Sequence, residues 1–182
     1  MIIALFGVSG VGKSFLCDEI SRKLEFKKFH KIKVRERRPE EKNCSDVLIA
    51  NENLLKTLRE EGKIALEFDL FGNSYAFLKQ DLDSQENMVF EMNYLFFDTL
   101  KNLRPDIFTI YLLPNDLDQA IQKVKNRNLK KQEEEIRIEE AHKEFIFVQE
   151  NELFLKKFNI VATNTYEYSF GNAVIGDIKK LQ

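Results

Sequence analysis

Gly7-Val8-Ser9-Gly10-Val11-Gly12-Lys13-Ser14 reads G-x-x-x-x-G-K-S, the pattern of a phosphate-binding P-loop. The apolar run Ile2-Ile3-Ala4-Leu5-Phe6 precedes it. Leu16, Ile20 and Leu24 follow at i, i+4 and i+8, which predicts one buried helix face. The loop therefore sits between a strand and a helix N-terminus, where its mechanism needs it. A polyphosphate is a dense anion. Glycines let the backbone curl so that successive N–H groups converge on it, and the helix adds unpaired N–H groups and the positive end of its dipole. This pattern expects Lys13 on the β- and γ-phosphates of ATP and the Ser14 hydroxyl on Mg²⁺.

Working outward, the chain has 182 residues, the size of one domain, and 43% of them are apolar. Phe is abundant at 16 and Trp is absent, so Phe is expected to fill much of the interior. Lys+Arg 28 against Asp+Glu 30 leaves a net charge of −2 and gives no reason to expect a nucleic-acid or membrane partner. Cys17 and Cys44 form neither a metal spacing nor a disulfide framework, and His30 and His142 stand alone. No apolar stretch is long enough for a membrane span, and no basic leader precedes the first strand. The expected home is the cytoplasm.

Strand-like and helix-like segments alternate, which predicts an α/β fold with a mostly parallel central sheet flanked by helices. Strands are expected near 2–6, 30–34, 64–69, 74–78, 88–92, 107–113 and 159–163. Helices are expected near 13–24, 52–61, 94–103, 116–127, 133–156 and 171–181. Asn51 is placed to cap the second helix and Gly62 to end it. Phe71-Gly72-Asn73-Ser74 reads as a hairpin turn, which breaks the parallel pattern and predicts a small mixed α/β insertion over about 31–79. The core is then about 1–30, 80–124 and 145–182. Residues 125–144 are densely charged, either as a solvated helix surface with pairs such as Glu133–Arg137 or as a lid carrying cations to a phosphate.

With the loop placed, further segments narrow the choice. Val34-Arg35-Glu36-Arg37-Arg38-Pro39-Glu40-Glu41 resembles the T-R-x-x-R-x-G-E stretch of guanylate kinases. Gly62-Lys63-Ile64-Ala65-Leu66-Glu67 and Phe71-Gly72-Asn73-Ser74-Tyr75 resemble their G-x-F-L-E … G-N-x-Y-G segment. Val89-Phe90-Glu91-Met92-Asn93 sits where they carry L-D-x-D, and Ile136-Arg137 through Ala141 and Glu144 is similar to their lid helix. Asn164 falls where they have an Asn after the last strand.

The resemblance implies a P-loop kinase with an acceptor-binding insertion and a helical lid, moving the ATP γ-phosphate to GMP or a related nucleoside monophosphate. It implies Arg35 and Arg38 as a clamp on the acceptor phosphate, with Glu41, Tyr75 and Asn93 beside the acceptor and Glu67 reading guanine. Arg127 and Arg137 would neutralise the transferred phosphoryl, and Glu91 would hold Mg²⁺ through water. Arg35 and Arg38 also read as a solvated edge-strand face, and Tyr75 also reads as packing.

The chain departs from the family in places. Lys31 stands where a guanine-reading Ser is expected and Val47 where a second Tyr is expected. Tyr75-Ala76-Phe77 replaces Y-G-[TS], and Asn93 replaces a carboxylate. Losing polar readers of a base relaxes or changes specificity. GMP is thus a default acceptor; a ribose bisphosphate precursor is the alternative substrate, and a catalytically inactive binding module the alternative function. The residues leave open whether the chain is a monomer or a homodimer.

Overall fold

The computed structural model describes residues 1–34, 47–167 and 169–181. Five strands form an all-parallel sheet in the order β2 (Lys27–Lys28), β7 (Met88–Glu91), β1 (Ile2–Gly7), β8 (Phe108–Pro114), β9 (Ile160–Asn164). β1 is central, and all six of its residues are buried. Its side chains alternate across the sheet, as the period of a strand requires. Ile3 and Leu5 face Leu16 and Ile20 of α1 (Lys13–Leu24) and Val174, Ile175 and Ile178 of α8 (Ser169–Lys179). Ile2, Ala4 and Phe6 face the other way, toward Phe97 and Leu100 of α4 (Phe97–Leu103), with Val148 and Phe158. Phe dominates that second layer. The Phe6 ring meets Phe97 and Phe158 edge-on, with centroids 5.6 and 5.2 Å apart.

A second, four-stranded sheet runs β4 (Val47–Ile49), β3 (Lys31–Val34), β6 (Asn73–Leu78), β5 (Ile64–Leu70), and α2 (Glu52–Glu60) lies between β4 and β5 in sequence. Its small core is Ile32, Ala50, Leu55 and Ala76. The Asn51 side chain accepts from Leu54 N–H at 2.9 Å and caps α2. The turn between β5 and β6 has φ of 53° at Phe71 and 70° at Gly72, two consecutive left-handed residues that suit a tight hairpin. A four-residue helix, α3 (Lys79–Leu82), then leads back toward β7. Its buried Asp81 accepts from the His30 backbone N–H at 2.6 Å.

Several boundaries differ from the sequence expectation. β2 and β4 have two and three residues, too short to leave a periodic signal. The helix expected over 133–156 is two helices, α6 (Lys131–Glu150) and α7 (Glu152–Leu155). The break falls at Asn151, whose side-chain amide donates to Phe147 O at 2.7 Å and so competes with the helix backbone. The helix expected over 116–127 is α5 (Leu117–Lys125), capped by Asp116. Residues 94–96 form a 3₁₀ turn before α4. No helix among the described residues is long and apolar enough to cross a membrane.

Candidate active site

The loop from Gly7 to Ser14 leaves β1 at the carboxyl end of the parallel sheet, beside β7 and β8. It packs so closely that side chains are excluded. A Cβ on Gly10 would lie 2.0 Å from Ala120 O, and one on Gly12 would lie 2.8 Å from Asn164 Nδ2. Both glycines also have positive φ, 85° and 97°. Asn164, buried at the end of β9, donates to Val11 O at 2.8 Å and accepts from Tyr166 N–H at 2.7 Å. The last strand thus ties down the rim of the loop. Val8 and Val11 are buried as its hydrophobic footing.

Lys13 opens α1 and turns back over the loop. Its Nζ donates to Gly7 O at 2.5 Å and to Val8 O at 3.0 Å. Burial lowers its pKa, while Glu144 and Glu91 oppose the shift. Ser14 Oγ donates to Glu91 Oε2 at 3.1 Å, and Lys31 Nζ donates to Glu91 Oε1 at 2.9 Å. Burial pushes the Glu91 carboxyl up, but Lys31 and Lys13 outweigh it and hold the group well below the usual carboxylate range. An ionised carboxylate and a hydroxyl side by side are hard oxygen ligands, so the donor set fits Mg²⁺. No group of three or more His, Cys, Asp or Glu placed to hold a metal ion occurs among the described residues. A cation there would take its remaining ligands from phosphate and water.

A cleft of about 690 Å³ runs from this loop to the hairpin β5–β6. Its loop end has Gly10, Gly12, Lys13, Ser14 and Glu91; its hairpin end has Phe68, Phe71, Tyr75, Phe77 and Asn93. Arg127, after α5, and Arg137, on α6, close one side. The Arg137 guanidinium is buried. It pairs with Glu133 at 2.9 Å and lies over the Phe71 ring, 4.1 Å from the centroid. The hairpin tip therefore touches the charged helix through a cation–π contact.

Two turns farther along α6, Glu144 is 2% exposed and accepts from Tyr111 Oη–H at 2.7 Å. Burial raises its pKa to about 7, against the attraction of Lys13 and the Tyr111 hydrogen bond.

Lys13, Ser14, Tyr75, Glu91, Asn93, Arg127 and Arg137 thus share one cleft. Glu67 does not join them. It is exposed on the opposite face of β5 and pairs with Arg59 of α2, at 2.6 and 3.1 Å. The β5–β6 register breaks between Ile64 and Leu66, after which Leu66 opposes Phe77 and Phe68 opposes Tyr75. Counting forward from Gly62 misses that irregularity, and a one-residue slip moves a strand side chain to the other face. Glu67 is therefore not positioned to read an acceptor. Lys31 serves Glu91. Arg35, Arg38 and Glu41 lie outside the described residues, as does the Val47 side chain.

Sequence reasoning missed a second hollow on the outer side of the loop. Phe15, Tyr166 and Phe170 line it with Gly10, Gly12 and Asn164. Phe15 is 44% exposed just after the Lys-Ser pair, and a Cβ on Gly171 would lie 3.3 Å from its ring. Nothing in the hydrophobic period distinguishes such a ring from core.

Against known proteins, the chain is 30% identical over 158 residues to a guanylate kinase of Mycoplasma mobile, covering 79% of this chain and 78% of that one. The chain belongs to the guanylate kinase family. Members of the family are ATP-dependent nucleoside monophosphate kinases, and so is this chain. No protein-family model matches it. In fold it is similar to the crystal structure of guanylate kinase from Anaplasma phagocytophilum, with a TM-score of 0.73, 15% identity, and coverage of 100% of this chain and 86% of that one. It is also similar to a deoxyadenosine kinase from M. mycoides, with a TM-score of 0.53, 19% identity and full coverage of both chains.

Proposed function

We propose that this kinase moves the γ-phosphate of ATP to the phosphate of a nucleoside monophosphate lying against the β5–β6 hairpin. One observation carries the reading. One cleft of about 690 Å³ is lined by an intact phosphate loop and by the β5–β6 hairpin, with Arg127 and Arg137 on its side. The insertion over 31–79 serves as the acceptor subdomain and 125–144 as the lid.

The loop amides from Gly10 to Ser14 take the β- and γ-phosphates, and Lys13 leaves the Gly7 and Val8 carbonyls to join them. The adenine ring enters the hollow between Phe15, Tyr166 and Phe170. Ser14 and, through water, Glu91 would hold Mg²⁺, which when bound would supply positive charge for the developing leaving group. Arg127 and Arg137 stabilise the phosphoryl group in flight. Tyr75 offers its hydroxyl to the acceptor phosphate, and the family resemblance implies Arg35, Arg38 and Glu41 at the same end. No general base is needed, because the acceptor oxygen is already anionic. The free, buried Cys17 thiol suits a reducing cytoplasm.

The test is ADP release from Mg-ATP by the purified chain, measured against a panel of nucleoside monophosphates and sugar phosphates. Acceleration by a nucleoside monophosphate is the expected result. ATP binding with no acceleration by any acceptor would return the reading to an inactive binding module.

A further inference from the structure

Glu91 is held from two sides, and one of them belongs to the other sheet. Its Oε2 accepts from Ser14 Oγ–H at 3.1 Å and its Oε1 from Lys31 Nζ–H at 2.9 Å. Glu91 ends β7 and Ser14 lies in the first turn of α1, so both stand on the parallel-sheet side of the cleft. Lys31 opens β3 of the four-stranded sheet, opposite Phe77 of β6. Ile32 turns into the small core of that sheet, so the strand period puts Lys31 on the other face, along the cleft. The Lys31 and Glu91 side chains are only 15% and 26% exposed. Charges so far withdrawn from water need partners, and each supplies the other with one. The family pattern has a base-reading Ser at this position, whereas here the ammonium is turned to a carboxylate.

An ionised carboxylate only accepts hydrogen bonds. Glu91 therefore takes the Ser14 hydrogen and leaves the Ser14 lone pairs for a cation. The aim of that hydroxyl depends on where the Glu91 carboxylate is fixed, and a long, flexible side chain is fixed by its anchors. Lys31 supplies the anchor in which both partners are charged. Within the kinase reading above, on which this rests, we propose that Lys31 is a positioning residue of the Mg²⁺ site: it orients Glu91 and through it the Ser14 hydroxyl, and ties both to the sheet that carries the β5–β6 hairpin.

The test uses EPR to count Mn²⁺, which suits the same oxygen ligands as Mg²⁺, bound to the full chain in the presence of ADP. Lys31→Met keeps an unbranched stem and removes the charge. It is expected to weaken Mn²⁺ binding about tenfold, the lower end of the loss on removing a partner of a metal-site ligand. Lys31→Arg, which restores a cation, is expected to recover most of it. In transfer from ATP to the fastest nucleoside monophosphate of the panel, Lys31→Met is expected to lower kcat at limiting Mg²⁺ and to regain it as Mg²⁺ is raised, a rescue that a merely destabilised fold would not show. Mn²⁺ binding unchanged or tightened in Lys31→Met would overturn the positioning role and leave the kinase intact; tightening would mean that Lys31 only repels the cation. No Mn²⁺ binding and no transfer by the unaltered chain would overturn the kinase reading and this proposal together.

Discussion

The loop end and the hairpin end of one cleft are built in opposite ways. At the loop end, function is written into the backbone. A Cβ at Gly10 or Gly12 would lie 2.0 or 2.8 Å from Ala120 O or Asn164 Nδ2, Asn164 pins the rim, and Lys13 and Ser14 stand at a helix N-terminus. At the hairpin end, function rests on side chains of a thin sheet whose register has already shifted once, at Ile64–Leu66. A backbone cradle admits almost no variation, whereas a side-chain wall can be exchanged residue by residue without disturbing the fold.

Breaking the loop end gives the largest effect. Lys13→Ala is expected to lower kcat/KM for transfer by about a thousandfold, the loss typical of removing one preorganised charge from a phosphoryl-transfer site. Thermal unfolding would check that the fold survives the loss of the Lys13 bonds to Gly7 O and Val8 O.

Next comes a stability effect at Glu144, beneath the loop. Its folded pKa of about 7 lies above the ordinary 4.5, so the folded protein holds that proton more tightly than the unfolded chain. Its contribution to stability is complete below about pH 4.5 and is lost as the pH rises through about 7. Glu144→Gln keeps an acceptor for the Tyr111 hydroxyl and removes the charge. At pH 8 it is expected to unfold at higher denaturant than the parent, by about 1–3 kcal/mol, and the gap should close toward pH 4.5. Urea titrations at the two pH values measure it.

The contact that joins the two ends is smaller. Phe71→Ala removes the ring beneath the Arg137 guanidinium and is expected to reduce kcat about tenfold, with Phe71→Tyr restoring most of it. A loss confined to acceptor KM would place Phe71 in packing of the pocket rather than in holding Arg137.

The smallest effect sharpens the comparison most. Glu67→Ala, which removes only an exposed partner of Arg59, is expected to leave acceptor KM within about twofold. Steady-state titration of the acceptor reads this directly.

How much of this was legible in the sequence follows the same divide. The P-loop, the parallel sheet, the Asn51 cap and the Phe71–Gly72 turn all depend on local rules about glycine, capping and hydrophobic period, and each stands at its expected place. Which face Glu67 occupies depends on a register irregularity with no residue signature of its own. The Phe15–Tyr166–Phe170 hollow depends on residues far apart in the chain, and a ring in a hollow looks like a ring in a core. The ion pair between Lys31 and Glu91 joins two strands of different sheets, so neither segment alone announces it.

The central claim is that the cleft passes a phosphoryl group between two bound anions rather than to water. Phosphorus-31 NMR of the protein with Mg-ATP and a mixture of nucleoside monophosphates tests it most directly. The expected spectrum shows a nucleoside diphosphate growing in step with ADP, with little inorganic phosphate. Growth of ADP matched by inorganic phosphate alone, or ATP left unchanged, would contradict it.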